Sequence, residues 1–472
     1  MTKNGVSSMN DKKAEPALLV LASLLVVGFT LVPVFAASPT YGFRVRLTTT
    51  SDWTRVDFEG ASAALFKDRV VKASGAEDLK VRAGNDLSVN KASFDESEVV
   101  VDYEVYLRDV GTVGPEAIIT KGDIGSTKLE FYRLDEDGSP FLTLTNYGRV
   151  EGDPENEEQS LVPKSMLPEV NIADKEKPDV GKKVLAFYYP WYGSPDGPTG
   201  KWNHWNPENS YASTNVPKAG YYDSKSEETI KRHIRQAKQN GIDGFIVSWW
   251  GPYSFSDQTL KKFMKISEEM DFQFSIYFEE ASSKGNMVKQ LTYVFDNYTG
   301  SKAFLHINDQ PVIFCYGRVT HQYDPAVWRE VFSELEEDGH SGFFIGDGFS
   351  SDILKAFDGI HKYNTVSTPL DELKSVYRSA SFKASTKGKL FAATVVPGYD
   401  DTVIRDPGMV KARKGGDLYR QFWEVARESQ PDWILITSFN EWHEGTEIEP
   451  SEEYGEKYLE LTSKLAESWK KD

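Results

Sequence analysis

A chain of 472 residues can bury a sizeable core and is too long for one ordinary domain, so two folded units are the starting expectation. Its formal charge of −18 at pH 7 argues against nucleic acid or an anionic membrane surface as partner, because both would repel it. Aromatic residues make up 13% of the chain, with 11 Trp and 23 Tyr, many outside obvious core patterns, and sugar rings stack on such faces.

Ala17 to Ala37 carries no charge, follows Lys12 and Lys13, and ends in the small-residue pattern Val34-Phe35-Ala36. Residues 1–37 therefore read as a signal peptide or, uncleaved, as an N-terminal membrane anchor, and the expected location is extracellular or at the cell surface. The single cysteine, Cys315, provides no disulfide framework and no lipid-attachment site after the apolar run. Its setting in Val312-Ile313-Phe314-Cys315-Tyr316 reads as a buried strand with an inert thiol.

Residues 38–150 alternate with period 2. Val101, Tyr103, Val105 and Leu107 face one way, while Asp102, Glu104 and Arg108 face the other and Tyr106 breaks the pattern. Similar runs at Phe43–Leu47, Val56–Phe58, Leu79–Val81, Leu129–Phe131 and Phe141–Thr145, with a hairpin signal at Asp137-Gly138, predict an all-β, sandwich-like domain. Trp53 is its only tryptophan, so a spacer or packing role is favoured over carbohydrate binding. Residues 151–181 turn acidic and contain Pro154, Pro163, Pro168 and Pro178, which predicts a linker.

From 182 to 472 strands and helices alternate. The strands are predicted at Val184–Tyr189, Phe245–Ser248, Phe272–Phe278, Val312–Tyr316, Gly342–Ile345, Ile360–Tyr363, Leu390–Val395 and Trp433–Thr437. Each precedes a helical pattern, the fifth a short one near Ile353–Phe357. Eight units without a remainder predict a (β/α)8 barrel of the TIM type; an open doubly wound sheet would seldom stop at eight. A barrel places its chemistry at the C-terminal ends of its strands. Those ends carry Tyr189 and Trp191, then Lys201-Trp202-Asn203-His204-Trp205; Ser248, Trp249 and Trp250; Glu279 and Glu280; Asp347; His361 and Tyr363; Tyr399 to Asp401, leading to Arg405.

The eighth strand runs into Ser438-Phe439-Asn440 and then delivers Glu441, Glu444, Glu447 and Glu449, with Trp442 and His443 among them. Crowded, partly buried carboxyls raise one another's pKa, and a protonated acid beside an ionised base is what glycoside hydrolysis needs. Glu441 and Glu444 are the pair we select. The alternative is a solvated acidic loop capping the next helix. A metal role for His443 is weak without a second histidine at helical spacing, and no cofactor is implied.

Five stretches together resemble the endo-α-mannosidase and endo-α-mannanase family, glycoside hydrolase family 99. They are FYYPWYG at 187–193, KWNHW at 201–205, FDG at 357–359, PGYDDTVIR at 397–405 and SFNEWHEGTEIE at 438–449. The resemblance covers the barrel and not the β domain. It implies a retaining, endo-acting, metal-independent enzyme on α-mannose-containing chains. Glu441 would be the base that takes the proton of the sugar 2-hydroxyl, giving an anhydro-sugar, and Glu444 the acid. It further implies Tyr363 near the base, Glu279 as a carboxylate that hydrogen-bonds substrate, and substrate contacts at Tyr189, Trp191, Trp202, His204, Trp249, Tyr399, Arg405, Asn440, Trp442 and His443. Glu280 and Ala281 depart from the family's Pro-Tyr after that carboxylate, so the neighbouring subsites can differ. A covalent intermediate on the same two glutamates, a barrel acting on another α-linked polymer such as an α-glucan, and a non-catalytic carbohydrate-binding surface protein stay open as alternatives.

Overall fold

The computed structural model describes residues 177–471 without a break and, before them, 40–59, 63–73, 80–83, 87–90, 98–108, 115–121, 126–134, 138–146 and 156–167. The apolar segment read as signal or anchor lies outside these residues. Among the described residues no helix is long and apolar enough to cross a membrane.

Ten strands build the N-terminal part: β1 (Thr40–Thr49), β2 (Trp53–Glu59), β3 (Ala63–Ala73), β4 (Lys80–Ala83), β5 (Leu87–Asn90), β6 (Val99–Arg108), β7 (Glu116–Lys121), β8 (Thr127–Tyr132), β9 (Leu142–Asn146) and β10 (Asn156–Leu161). They form two five-stranded sheets, ordered β3-β6-β1-β8-β9 and β10-β7-β2-β5-β4. Antiparallel pairing sets Phe43 opposite Val105, Val45 opposite Tyr103 and Leu47 opposite Val101. With side chains alternating along each strand, all six point into one core, where they meet Val56, Phe58, Leu87, Val89 and Ile119 of the other sheet.

The stretch expected to be a linker behaves differently in part. Asn156–Leu161 pairs with β7 as an edge strand, Lys164–Met166 makes a 3-10 turn, and Val162 and Leu167 join the sandwich core. An edge strand is recruited through its backbone, and a polar sequence such as NEEQSL does not forbid that.

The second part is built from β11 (Lys183–Tyr188), α1 (Glu227–Gln239), β12 (Gly244–Trp249), α2 (Phe255–Met270), β13 (Gln273–Phe278), α3 (Lys284–Val294), β14 (His306–Ile307), β15 (Gln310–Cys315), α4 (Gly317–Gln322), α5 (Pro325–Glu337), β16 (Phe343–Asp347), β17 (Gly359–His361), α6 (Leu370–Ser385), β18 (Leu390–Val395), β19 (Tyr399–Asp400), β20 (Val410–Lys411), α7 (Asp417–Glu428), β21 (Trp433–Ile436) and α8 (Lys457–Lys471). Eight strands run parallel in the order β11-β12-β13-β15-β16-β17-β18-β21, and β21 pairs with β11 to close the ring. This is the expected (β/α)8 barrel. The fifth unit carries only a 3-10 turn, Ile353–Lys355, packed so tightly that a Cβ on Gly346 would lie 2.8 Å from Ile353 Cγ2.

Both faces of each barrel strand are buried, so the strands read as continuous apolar runs, and residue parity decides which layer a side chain joins. Leu185, Phe187 and Tyr189 fill the barrel interior, while Val184, Ala186 and Tyr188 pack under the helices. On β12 the same alternation sends Phe245, Val247 and Trp249 outward. Cys315 is also in the outer layer, and burial pushes its thiol pKa up, in keeping with an inert core residue.

Candidate active site

The loop after β21 is a closed excursion. Ser438 N donates to Thr446 O (2.9 Å), Ile448 N to Ser438 O (3.0 Å) and Glu449 N to Phe439 O (2.8 Å), so the chain leaves and re-enters at one place. At the tip, Gly445 has φ +57°, and a Cβ there would lie 3.0 Å from Asp400 O. Glycine thus admits the neighbouring hairpin, whose Asp400 N donates to Glu444 O at 2.8 Å.

The four carboxylates of this loop divide into two kinds. Glu447 and Glu449 anchor it from behind. Glu447 Oε1 accepts from Arg413 Nη2 (2.6 Å) and Asn215 Nδ2 (2.8 Å), and burial pushes its pKa up to about 7 despite the arginine. Glu449 accepts from His233 (2.8 Å), Tyr222 OH (2.8 Å) and Trp442 Nε1 (3.2 Å). Burial works to raise its pKa, but His233, Arg232 and Tyr222 outweigh it and hold the carboxyl below its usual value. Asn440 belongs to this bracing: its amide accepts from Tyr189 N (2.7 Å) and donates to Tyr189 O (3.0 Å), locking the first strand's end to the last.

Glu441 and Glu444 face the cleft. Glu441 N donates to Ser438 Oγ (2.7 Å), and Glu441 Oε1 accepts from His443 N (3.1 Å). Its Oε2 is buried with no partner in the protein. Burial, and then the charge of Glu444, raise its pKa well above the carboxylate range. Glu444 accepts from Tyr363 OH (3.2 Å), Tyr399 OH (3.3 Å) and Arg405 Nη2 (3.2 Å). Burial raises its pKa as well, with Arg405 and the two phenols pulling the other way.

Around the pair, Tyr189 lies against Trp191, which stacks on His204 with centroids 4.2 Å apart. His443 Nδ1 must donate to Ala212 O (2.7 Å), since a carbonyl only accepts. Its Nε2 is then the acceptor for His204 Nδ1 at 3.3 Å, and burial with this neighbour lowers the His204 pKa to about 4. Both nitrogens of His443 are thereby engaged. The one proton of Tyr399 OH is shared between Asp401 Oδ2 (2.9 Å) and the longer contact to Glu444 Oε1 (3.3 Å), and Arg405 bridges Asp401 and Glu444. Glu279 is buried and accepts from Ser248 Oγ (2.7 Å), and burial raises its pKa to about 8. Trp202 is at the rim, 37% exposed, its ring edge-on to Tyr211.

Residues 179–463 match the profile of glycosyl hydrolase family 99. The chain belongs to that family. It is 26% identical over 364 residues to the glycoprotein endo-alpha-1,2-mannosidase of Mus musculus, covering 64% of this chain and 78% of the mouse protein. A glycoprotein endo-alpha-1,2-mannosidase-like protein of Homo sapiens is 26% identical over 347 residues, covering 61% and 76% respectively. The GH99 endo-alpha-mannosidase of Bacteroides thetaiotaomicron superposes with a TM-score of 0.56 at 26% identity, over 61% of this chain and 97% of that one.

As a family 99 member the chain is a glycoside hydrolase, and the two parities of its strands correct one expectation. Trp249 is fully buried in the outer layer, its Nε1 donating to Asp257 Oδ1 at 3.1 Å, so it does not reach the cleft. Its neighbours do the facing: Trp250 Nε1 donates to Ser248 Oγ (2.9 Å), which donates on to Glu279. Trp442 is likewise fully buried and serves the Glu449 network rather than a cleft surface. Asp347, read only as a rim residue, accepts from Tyr277 OH (3.0 Å) and from Tyr363 N (3.0 Å), which sets Tyr363 against Glu444. His233, Tyr222, Arg413 and Asn215 went unread. Nothing local in the sequence marks them, because each acts through a partner more than thirty residues away.

Proposed function

We propose that this glycoside hydrolase is an exported endo-α-mannosidase, cleaving internal α-mannosidic bonds of a glycan or polysaccharide with Glu441 and Glu444. The observation that carries the proposal is the buried, unpartnered Oε2 of Glu441 beside a second carboxyl held by Arg405, Tyr363 and Tyr399. An orphaned carboxylate oxygen is costly unless a ligand hydroxyl completes it. The mannosidase names of the relatives supply the sugar.

In this reading Oε2 of Glu441 takes the proton of the sugar 2-hydroxyl, and that oxygen bonds to the anomeric carbon. The bond to the leaving oxygen breaks as that oxygen takes the proton of Glu444. Water then gives a proton to Glu444 and its oxygen attacks the anomeric carbon; the anhydro ring opens and O2 recovers its proton from Glu441, with net retention. Burial and the Glu444 charge raise the Glu441 pKa, while Arg405 and the two phenols oppose the rise at Glu444. A hydroxyl donated to Oε2 stabilises the Glu441 anion, the form in which it acts as base.

The test is product analysis on α-mannan, mannose-rich glycans and α-glucans, with Glu444→Gln assayed also on an α-mannosyl substrate carrying a fluoride leaving group. Loss of the acid should cost about 10²–10⁴ in kcat on the natural bond and far less in the first-turnover release of fluoride, the step that needs no acid. Equal losses on both, or undiminished turnover by Glu441→Gln, would overturn the assignment.

A further inference from the structure

Tyr399 and Arg405, the partners of Glu444, lie on the β18 side of the barrel mouth, which in the two-glutamate reading is the side of the leaving sugar. The opposite side, at the ends of β12, β13 and β15, is lined by groups that the two-glutamate reading does not use. Trp250, Ser248 and Glu279 form a hydrogen-bonded chain there. Above it lies Arg318, at the start of α4, its guanidinium carbon 5.2 Å from the ring centroid of Trp250 and 5.6 Å from that of Tyr316. Glu280 Oε2 is 3.6 Å from Arg318 Nη1, with the two side chains 53% and 50% exposed.

That separation is longer than a hydrogen bond, so the pair is loose. The guanidinium carries five N–H donors and the carboxylate its acceptor sites, on two half-exposed side chains beside an aromatic wall. Two rings within cation–π range limit the freedom of Arg318, which favours a preformed fork over a mobile surface cation. A fork of donors next to a carboxylate acceptor suits vicinal hydroxyls, each of which both accepts and donates. The one positive charge is matched by Glu280, and Glu279, protonated near neutral pH, adds none. An anionic substituent gains nothing from such a wall.

We propose that Arg318 and Glu280 form an outer subsite for a neutral hexosyl residue of the glycan chain, on the side of the scissile bond away from the leaving group. This rests on the endo-mannosidase reading. It also gives a use to Glu280 where the chain departs from its family's Pro-Tyr.

The experiment compares kcat and KM of the full chain, Arg318→Met and Glu280→Gln on a series of α-manno-oligosaccharides of increasing length, with a short α-mannosyl fluoride as reference. Either substitution should lower kcat/KM on the long chains 5- to 20-fold more than on the fluoride, chiefly through KM. The double variant should lose less than the product of the two single losses. A loss independent of length, or no loss on long chains, overturns the subsite. A larger loss on a phosphorylated mannan than on the neutral one overturns the neutral-sugar assignment. If the unaltered chain cleaves no α-mannan, the underlying reading fails instead, so the two failures are separable.

Discussion

Glu449→Ala is the most informative perturbation of the architecture behind the loop that carries Glu441 and Glu444. The carboxylate is only 2% exposed and is the acceptor for His233, Tyr222 and Trp442. Its removal leaves three buried donors without an acceptor, at about 1–3 kcal/mol each, with some relief as water enters the space. Breaking a buried pair of this kind costs about 3–5 kcal/mol, and we expect about 4 kcal/mol here. Glu449→Gln keeps the volume. Its amide nitrogen can face His233 if the imidazole changes tautomer and donates instead to Tyr188 OH, now 3.1 Å away, so the expected cost falls to about 1–2 kcal/mol. Trp442 lies between Glu441 and Glu444 in the chain, and Asn440 donates to Tyr222 OH at 3.2 Å, so loosening the network also displaces the two carboxyls proposed to react. A shift of about 1 Å is enough for roughly 10²-fold in kcat. Urea unfolding and steady-state kinetics of both variants measure these effects. Because the native carboxyl lies below its ordinary pKa, its contribution is present above the unfolded value and is lost as pH falls through the folded one. The glutamine variant should therefore lose stability less steeply in acid. An alanine variant within about 1 kcal/mol of the parent, with normal kcat, would refute the claim that this network holds the loop.

Three further outcomes follow from the same geometry. Glu279 has its pKa raised to about 8, so the folded protein holds a proton that the unfolded chain releases; its contribution is full below the ordinary carboxylate pKa and is lost as pH rises through about 8. Urea midpoints from pH 5 to 9 should fall less for Glu279→Gln than for the parent, and parallel curves would contradict this. Gly445→Ala forces a Cβ against Asp400 at a left-handed position, which should cost about 1–3 kcal/mol and lower kcat; calorimetry and kinetics check it, and an inert substitution would show the hairpin contact to be slack. Asp347→Ala should weaken the setting of Tyr363 against Glu444, lowering kcat more than it raises KM, and Asp347→Asn, which keeps one acceptor, should recover part of the loss.

Much of the site was legible because it is local. Glu441 and Glu444 sit three residues apart after a strand whose apolar run ends at Ser438, and Tyr399, Asp401 and Arg405 share one hairpin. Eight repeats of strand and helix imposed the barrel, since hydrophobic period and turn residues are properties of neighbouring positions. The β10 edge strand escaped because its pairing depends on the backbone of β7 rather than on its own polar side chains.

Tertiary structure decided the rest. The sequence shows four glutamates in nine residues as one acidic cluster, and it determined that such crowding needs relief. Only the fold separates them, giving Glu447 to Arg413 and Glu449 to His233 while leaving Glu441, whose Oε2 is bare, beside the charges of the neighbouring Glu444 and Arg405. Trp249 and Trp250 are adjacent and chemically identical in the sequence. A barrel strand buries both of its faces, so no polar-apolar alternation tells them apart, and only the register of β12 between β11 and β13 sends one under the helices and the other to the cleft.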